Sequence, residues 1–211
     1  IDCLLPVNEA SGDGRALGAA IDRVIDEAVY AVRDGAAHLV LTDHRSDENH
    51  CALPMILVAG AVHSRLTRHG LRNACSLNVR SAECFDPHYA AVLVGLGATT
   101  VNPYLAFDTV TANRDEPGED REARSRAKHL KLALDGGLLK IISKMGISII
   151  SSYRGGCNFE VLGLSRALIE AYLPGVVSRI SGLGLPGLEA RTVDLHRTAW
   201  RGDARLPVGG F

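Results

Sequence analysis

Residues 38–79 read HLVLTDHRSDENHCALPMILVAGAVHSRLTRHGLRNACSLNV, and this stretch decides the fold. HLVLT, His38 to Thr42, is a short β-rich run bounded by polar residues and predicts a buried strand. From Leu53-Pro54 the apolar positions Leu57, Val58, Ala61, Val62 and Leu66 return at three- and four-residue steps and stop at Gly70, which predicts a helix. Proline is tolerated at its start because the missing N–H has no intrahelical partner there. Ala74 to Val79 is apolar again at strand length. Strand, helix, strand is the pattern that brings two strands parallel, because a parallel neighbour needs a crossover and a helix is the usual one.

The pattern extends both ways. Upstream lie a possible strand at Cys3 to Leu5 and a helix over about 14–34, with Leu17, Ile21, Val24, Ile25, Ala28 and Val32 on one face. Downstream, Asp86-Pro87 has the form of an N-cap followed by proline at the first helical position, and a strand is expected over Thr99–Asn102. Seven of the residues 111–122 are charged around Pro117-Gly118, which predicts a solvated loop. A long helix follows over about 123–145, where Gly136-Gly137 imply a kink or a close helix contact. Gly146 is its expected stop. A strand is then expected at Ile147–Ser151, a helix capped by Ser165 and ended by Pro174-Gly175, a glycine-rich turn over Ser178–Leu188, and a basic, irregular tail from Glu189 to Phe211. The fold class is α/β: alternating strands and helices, mainly parallel sheet, resembling a partial (β/α) barrel because the strands are too few for a complete one.

The chain has 211 residues, 46% of them apolar, with 23 basic residues against 24 acidic ones spread along it. No basic field exists to collect nucleic acid or anionic lipid, so no nucleic acid and no membrane are expected as partners. Ile1-Asp2-Cys3 begins no signal peptide and no apolar run is long enough for a bilayer, so the chain reads as cytoplasmic. Ile rather than Met at the start points to a domain cut from a longer polypeptide. The five cysteines form no C-x-x-C pair and are expected as reduced packing residues.

Four candidate chemistries present themselves, each beside a plain structural reading. His44, His50, His63, His69 and His88 invite a metal, but no H-E-x-x-H exists and His63 and His69 fall on different helix faces. His69 suits a helix C-terminus, where its cation meets the negative end of the dipole. Asp43 and Glu83 stand at strand exits, where α/β folds place active groups, though loop capping explains them too. Ser151 to Gly156 offers glycines and the cation of Arg154 for a phosphate cradle. Cys157 is a candidate nucleophile only with a base or helix start to depress its pKa. These leave open a free-standing α/β enzyme, a binding module for a phosphorylated metabolite built on Asp43, Glu83 and Ser151–Asn158, or an interaction domain.

Four stretches in order, LPMILVAGAVHSRLTRHGLR, VGLGATTVNPYLAFDT, GGLLKIISKMGISIISSYRGGCNFEVLGLS and SRISGLGL, resemble the central domain of the glutamate synthase large subunit. The likeness runs from about Leu5 to Leu185 and is most specific in KMGIS, S-Y-R-G and F-E-x-x-G-L-S. It departs at Arg154-Gly155-Gly156-Cys157-Asn158, where the family often has Gly-Ala-Gln, and at AVHSRL, where it often has AVHHHL. It therefore assigns Cys157 no chemical role, and of the family's adjacent histidines only His63 has a counterpart. The resemblance implies a scaffold and ammonia-tunnel element between a glutamine amidotransferase domain and an FMN synthase domain. It further implies an oxidoreductase as the whole enzyme, with FMN and a 3Fe-4S cluster held outside this fragment, and a small NAD(P)H-oxidising subunit among the partners. No catalysis is expected of the chain alone. Residues 1–190 would then be the central domain and 191–211 a connector toward the FMN domain, Arg205 to Phe211 beginning it. The candidate tunnel or interdomain contacts are Tyr153, Arg154, Gly155, Gly156, Cys157, Asn158, Asn102 and Tyr104.

Overall fold

The computed structural model describes residues 1–112 and 119–201. In chain order the elements are β1 (Leu4–Pro6), α1 (Arg15–Arg33), β2 (His38–Thr42), β3 (His50–Ala52), α2 (Met55–Arg68), a 3-10 turn (Arg72–Ala74), β4 (Ser76–Arg80), α3 (Pro87–Gly95), β5 (Thr100–Asn102), α4 (Tyr104–Thr111), α5 (Glu119–Lys144), α6 (Ile150–Tyr153), β6 (Glu160–Leu164), α7 (Arg166–Tyr172), β7 (Val177–Leu183) and α8 (Leu185–Trp200).

The strand, helix, strand unit of the decisive stretch folds as its pattern predicts, with the short β3 added between β2 and α2. β2, β4 and β5 form a parallel sheet in that order, with Leu39 beside Leu77 and Val79 beside Val101. Chain flanking β1 extends this sheet at its other edge, where the Cys3 N–H donates to the Thr42 carbonyl at 2.8 Å and the Thr42 N–H to the Ile1 carbonyl at 3.1 Å. β1 also pairs antiparallel with β3. The result is an open run of β/α units, not a closed barrel.

The predicted apolar stripes are the core. Leu17, Ile21, Val24 and Ala28 of α1 and Val58, Ala61, Val62 and Leu66 of α2 are buried with Leu41, Leu77 and Val79 of the sheet. Each large aliphatic side chain so buried contributes roughly 1.5–3 kcal/mol. A second, smaller core joins Ala91 and Val94 of α3 to Ile142 of α5 and to Tyr153. The glycine pair in α5 marks a close contact, since a Cβ on Gly137 would stand 2.4 Å from Cγ of Pro87. Asp86 caps α3 by accepting from the Tyr89 N–H at 2.7 Å, and Ser165 caps α7 by accepting from the Leu168 N–H at 3.2 Å.

Three expectations are corrected. Ile147–Ser151 is not a strand: the Ile147 N–H turns back to the Ile142 carbonyl, and residues 150–153 make one helical turn. Isoleucine favours strands only where a neighbouring strand offers backbone partners, and none does here. Ser178–Leu188 is not a turn, because Val177–Leu183 is strand β7, parallel to β6, with α7 as crossover. Its glycines serve the pairing: a Cβ on Gly182 would lie 2.3 Å from the Gly163 carbonyl oxygen, and the register slips on either side of Leu162. The tail is not irregular as far as Trp200, for α8 starts with Pro186 in its first turn and packs on α1, β3 and β7. Of the charged stretch 111–122, Thr111 ends α4 with Ala112 as its C-cap and Glu119–Glu122 open α5, while 113–118 lie outside the described residues, as does Arg205–Phe211. Among the described residues no helix is long and apolar enough to cross a membrane.

Candidate functional site

The rim at the strand C-termini gathers Asp43, Arg80, Ser81, Glu83 and Tyr104. Asp43 is fully buried and its carboxylate accepts from the Ser81 hydroxyl at 2.9 Å and from the Ala82 N–H at 3.0 and 3.1 Å. Glu83 accepts from the Met55 N–H at 3.0 Å, satisfying a free donor at the start of α2, and from the Tyr89 hydroxyl through a short bond. Burial pushes the Glu83 carboxyl up, against the pull of these two donors. Both acids are thus consumed in fastening loops and a helix start, which accounts for their place at the strand ends. Tyr104 is half-buried, with the Arg80 guanidinium 4.9 Å from its ring centre and His44 edge-on at 4.9 Å. Burial, then the charge of Asp43, raises its phenol well above the ordinary value. Asn102 is exposed, and its backbone carbonyl accepts from the Ser81 N–H at 3.1 Å.

The Tyr153–Asn158 turn lies at the other end of β5, so the structure does not join it to Asn102 and Tyr104. It docks on the C-terminus of α3. Tyr153 is 1% exposed and donates from its hydroxyl to the Ala91 carbonyl at 3.0 Å. The Gly155 and Cys157 N–H groups donate to the carbonyls of Val94 and Gly95, each at 3.1 Å, and the Gly156 N–H to the Tyr153 carbonyl at 3.0 Å. These N–H groups are therefore spent inside the protein, and the phosphate cradle expected from the glycines does not form. Cys157 adopts φ 49°, an uncommon backbone for a residue with a Cβ, and burial raises its thiol. It borders a cavity of about 190 Å³ with His63, but the His63 Nδ1 already accepts from the Arg72 Nε at 2.9 Å, so that lone pair cannot take a thiol proton.

Two further cavities are larger, and only the second of them touches the turn, through Arg154. One, of about 360 Å³, is chiefly apolar and lies between α3, β5, α4 and α5, walled by Val94, Val101, Phe107, Leu138 and Ile150, with Asn102 on its edge. The other, of about 390 Å³, is polar and lined by His63, Arg72, Asn73, Ser76, Ser151 and Arg154. Sequence reasoning reached Arg154 and His63 but missed Arg72, whose only signal was a cation two residues beyond the helix-ending Gly70. All five thiols are free, and among the described residues no three His, Cys, Asp or Glu side chains gather into a metal site.

An open parallel β/α domain whose rim acids and glycine turn are engaged in holding the fold defines a structural unit with two adjoining clefts. Residues 1–165 match the family described as Glutamate synthase central domain, and the chain belongs to that family. It is 50% identical over 214 residues to the Glutamate synthase [NADPH] large chain of Azospirillum brasilense, covering 100% of this chain and 14% of that protein. The Ferredoxin-dependent glutamate synthase, chloroplastic, of Spinacia oleracea is 38% identical over 206 residues, covering 90% of this chain and 13% of that protein. The Glutamate synthase [NADPH] large chain of Bacillus subtilis (strain 168) is 35% identical over 177 residues, covering 84% of this chain and 12% of that protein. The chain thus spans a small part of the length of the relatives it matches.

Proposed function

We propose that this chain acts as the central domain of a glutamate synthase in the cytoplasm, a scaffold that also walls a passage for ammonia between an amidotransferase domain and an FMN synthase domain of one polypeptide. The observation that carries the reading is the apolar cavity between α3, β5, α4 and α5. Neutral NH₃ is protonated readily in bulk water, so a passage needs a wall that excludes water and offers few titratable groups. Val94, Val101, Phe107 and Leu138 supply such a wall, and the Lys131–Asp135 ion pair lies on its border, at a helix surface. Residues 191–211 are read as the connector toward the FMN domain, with Arg191–Trp200 completing α8.

FMN and a 3Fe-4S cluster are assigned to other parts of that polypeptide. The cysteines here are packing residues of one core, Cys84 with its thiol pushed up to about 12 by burial, and among the described residues no three ligating side chains gather, so they do not fit a cluster. The turn's N–H groups, engaged by Tyr153, Val94 and Gly95, do not fit a flavin phosphate. A small NAD(P)H-oxidising subunit would dock elsewhere.

The test is made in a full-length enzyme carrying this domain. Leu138→Trp fills the cavity, and glutamine-dependent synthesis is compared with synthesis from added ammonia. Glutamine-dependent activity should fall markedly more than ammonia-dependent activity. Equal rates for both substrates, unchanged from the parent, would remove the cavity from the ammonia route.

A further inference from the structure

The polar cleft beside the Tyr153–Asn158 turn holds two cations without a counter-charge. Arg72 is fixed by four neutral acceptors: its Nε donates to His63 Nδ1 at 2.9 Å, Nη1 to the Cys75 carbonyl at 2.8 Å, and Nη2 to the Gly97 carbonyl at 2.7 Å and, more weakly, to the Thr99 hydroxyl at 3.4 Å. No carboxylate forms an ion pair with it among the described residues, and the side chain of Arg154, exposed on the turn, has neither an ion pair nor a hydrogen bond among them. Burial and the charge of Arg154 both oppose the positive charge on Arg72.

A guanidinium bound only to neutral partners keeps its whole charge, and a second one nearby adds repulsion that an anion would relieve. The fork of Arg72 is also preorganised, because the bonds that hold it come from two backbone carbonyls, a half-buried ring and a hydroxyl, and one Nη1 hydrogen remains undirected. His63 acts as a positioning residue: with Nδ1 accepting from Arg72, its ring proton sits on Nε2. Ser151 and Asn73 add a hydroxyl and an amide to the same wall, and the volume of about 390 Å³ is within the range of small-molecule sites.

We propose that this cleft binds a small oxyanion, a phosphate or a dicarboxylate, with Arg72 as its fixed contact and Arg154 as the adjustable one. The expected mode is a bidentate contact or a bridge between the guanidinia, since both ligand classes offer paired oxygens. The reading is independent of the proposed ammonia passage, whose cavity shares only Thr99 with this cleft.

The test is calorimetric titration of the 211-residue chain with inorganic phosphate and, separately, with malonate, in chloride buffer at constant ionic strength. One of the two should bind saturably with one site per chain, and which one binds decides between the two anion sources. Arg154→Gln should weaken binding by about tenfold, the loss of one charge-assisted contact. The Arg154 side chain has no partner to lose among the described residues, so this variant should fold like the parent, as judged by its unfolding midpoint. Arg33→Gln, a cation of α1 outside the cleft, should bind as the parent does. The proposal is overturned by the absence of saturable binding below about 10 mM of either anion, by an unchanged affinity in Arg154→Gln, or by an equal loss in Arg33→Gln.

Discussion

His63 is a residue on which several constraints meet. It accepts from Arg72, and Gly97 gives it room: a Cβ on Gly97 would lie 2.1 Å from its Nδ1, at a φ of 107°. Gly97→Ala should therefore cost about 2–4 kcal/mol in urea unfolding, clash and backbone strain together. Gly146→Ala, at φ 73° with no atom within 4 Å, should cost only the strain of about 1 kcal/mol. Equal losses in the two variants would show that His63 gives way easily. The same ring predicts a pH effect. Burial, and then the charge of Arg72, lower the pKa of His63 below its ordinary 6.5. Below 6.5 the unfolded chain takes up a proton that the folded chain does not, so this contribution to stability is present above that pH and is lost as pH falls through the folded value. His63→Gln, whose amide oxygen still accepts from Arg72, should lose less stability than the parent between about pH 7 and pH 5.5. Parallel pH profiles would exclude His63 as the source of the slope. In the sequence His63 could be read as a candidate metal ligand and, through the resemblance, as the counterpart of a family histidine, but not as the acceptor of Arg72, because its partners Arg72, Gly97 and Gly155 come from three other segments.

At the scale of the element, local pattern decided most of what could be read. α1, α2, α3, β2 and β4 declare themselves by apolar period, cap and stop, and each lies within a residue or two of its expected bounds. β3, α4 and β6 were missed because each is short, and β3 is also held by a partner far along the chain, as in the pairing of Leu5 with Cys51. β7 and α8 were misread for a related reason: glycine and proline that ordinarily break elements serve here as a close strand contact and a helix first turn. What ties α8 down is Glu189, which is fully buried and accepts from the Gly12 N–H at 2.7 Å and the Leu17 N–H at 2.9 Å. Gly14 supplies no side-chain cap to α1, so a carboxylate 172 positions downstream of Leu17 caps that helix instead. No local rule could have shown it. Glu189→Gln puts an amide hydrogen where one of these donors needs an acceptor, and should cost about 1.5–3 kcal/mol. Hydrogen exchange gives the sharper reading, since the Leu17 amide should lose protection while amides in the middle of α2 keep theirs. Uniform change across both helices would mean that Glu189 supports the fold generally and not this cap.

At the scale of the whole molecule, the described surface is uneven. Leu162, Val177, Ile180 and Leu183 of the β6–β7 pair are 64, 53, 62 and 44% exposed, and they form an apolar ribbon apart from the buried cores. Scattered exposed apolar residues are ordinary, whereas several on one paired ribbon mark a contact surface. The sequence could not reveal this, because an apolar residue facing solvent and one facing the core look alike until the strand pairing is known. The A. brasilense relative is far longer than this chain, which covers 14% of it, so in the proposed setting the ribbon has neighbouring polypeptide to meet. The expected behaviour of the 211-residue chain follows directly. It should bind a hydrophobic dye such as anilinonaphthalene sulfonate in its folded state. Leu162→Lys combined with Ile180→Lys should abolish most of that signal while moving stability by no more than about 0.5 kcal/mol, the ordinary effect of exposed substitutions. If the double variant unfolds, or if dye binding survives it, the ribbon is covered within the chain itself and the apolar surface must be sought on α5, where Leu132 and Leu139 are also exposed. In a full-length enzyme the same pair of lysines should lower the yield of assembled, active protein, because burying an ammonium at a domain contact without a partner costs far more than leaving it in water.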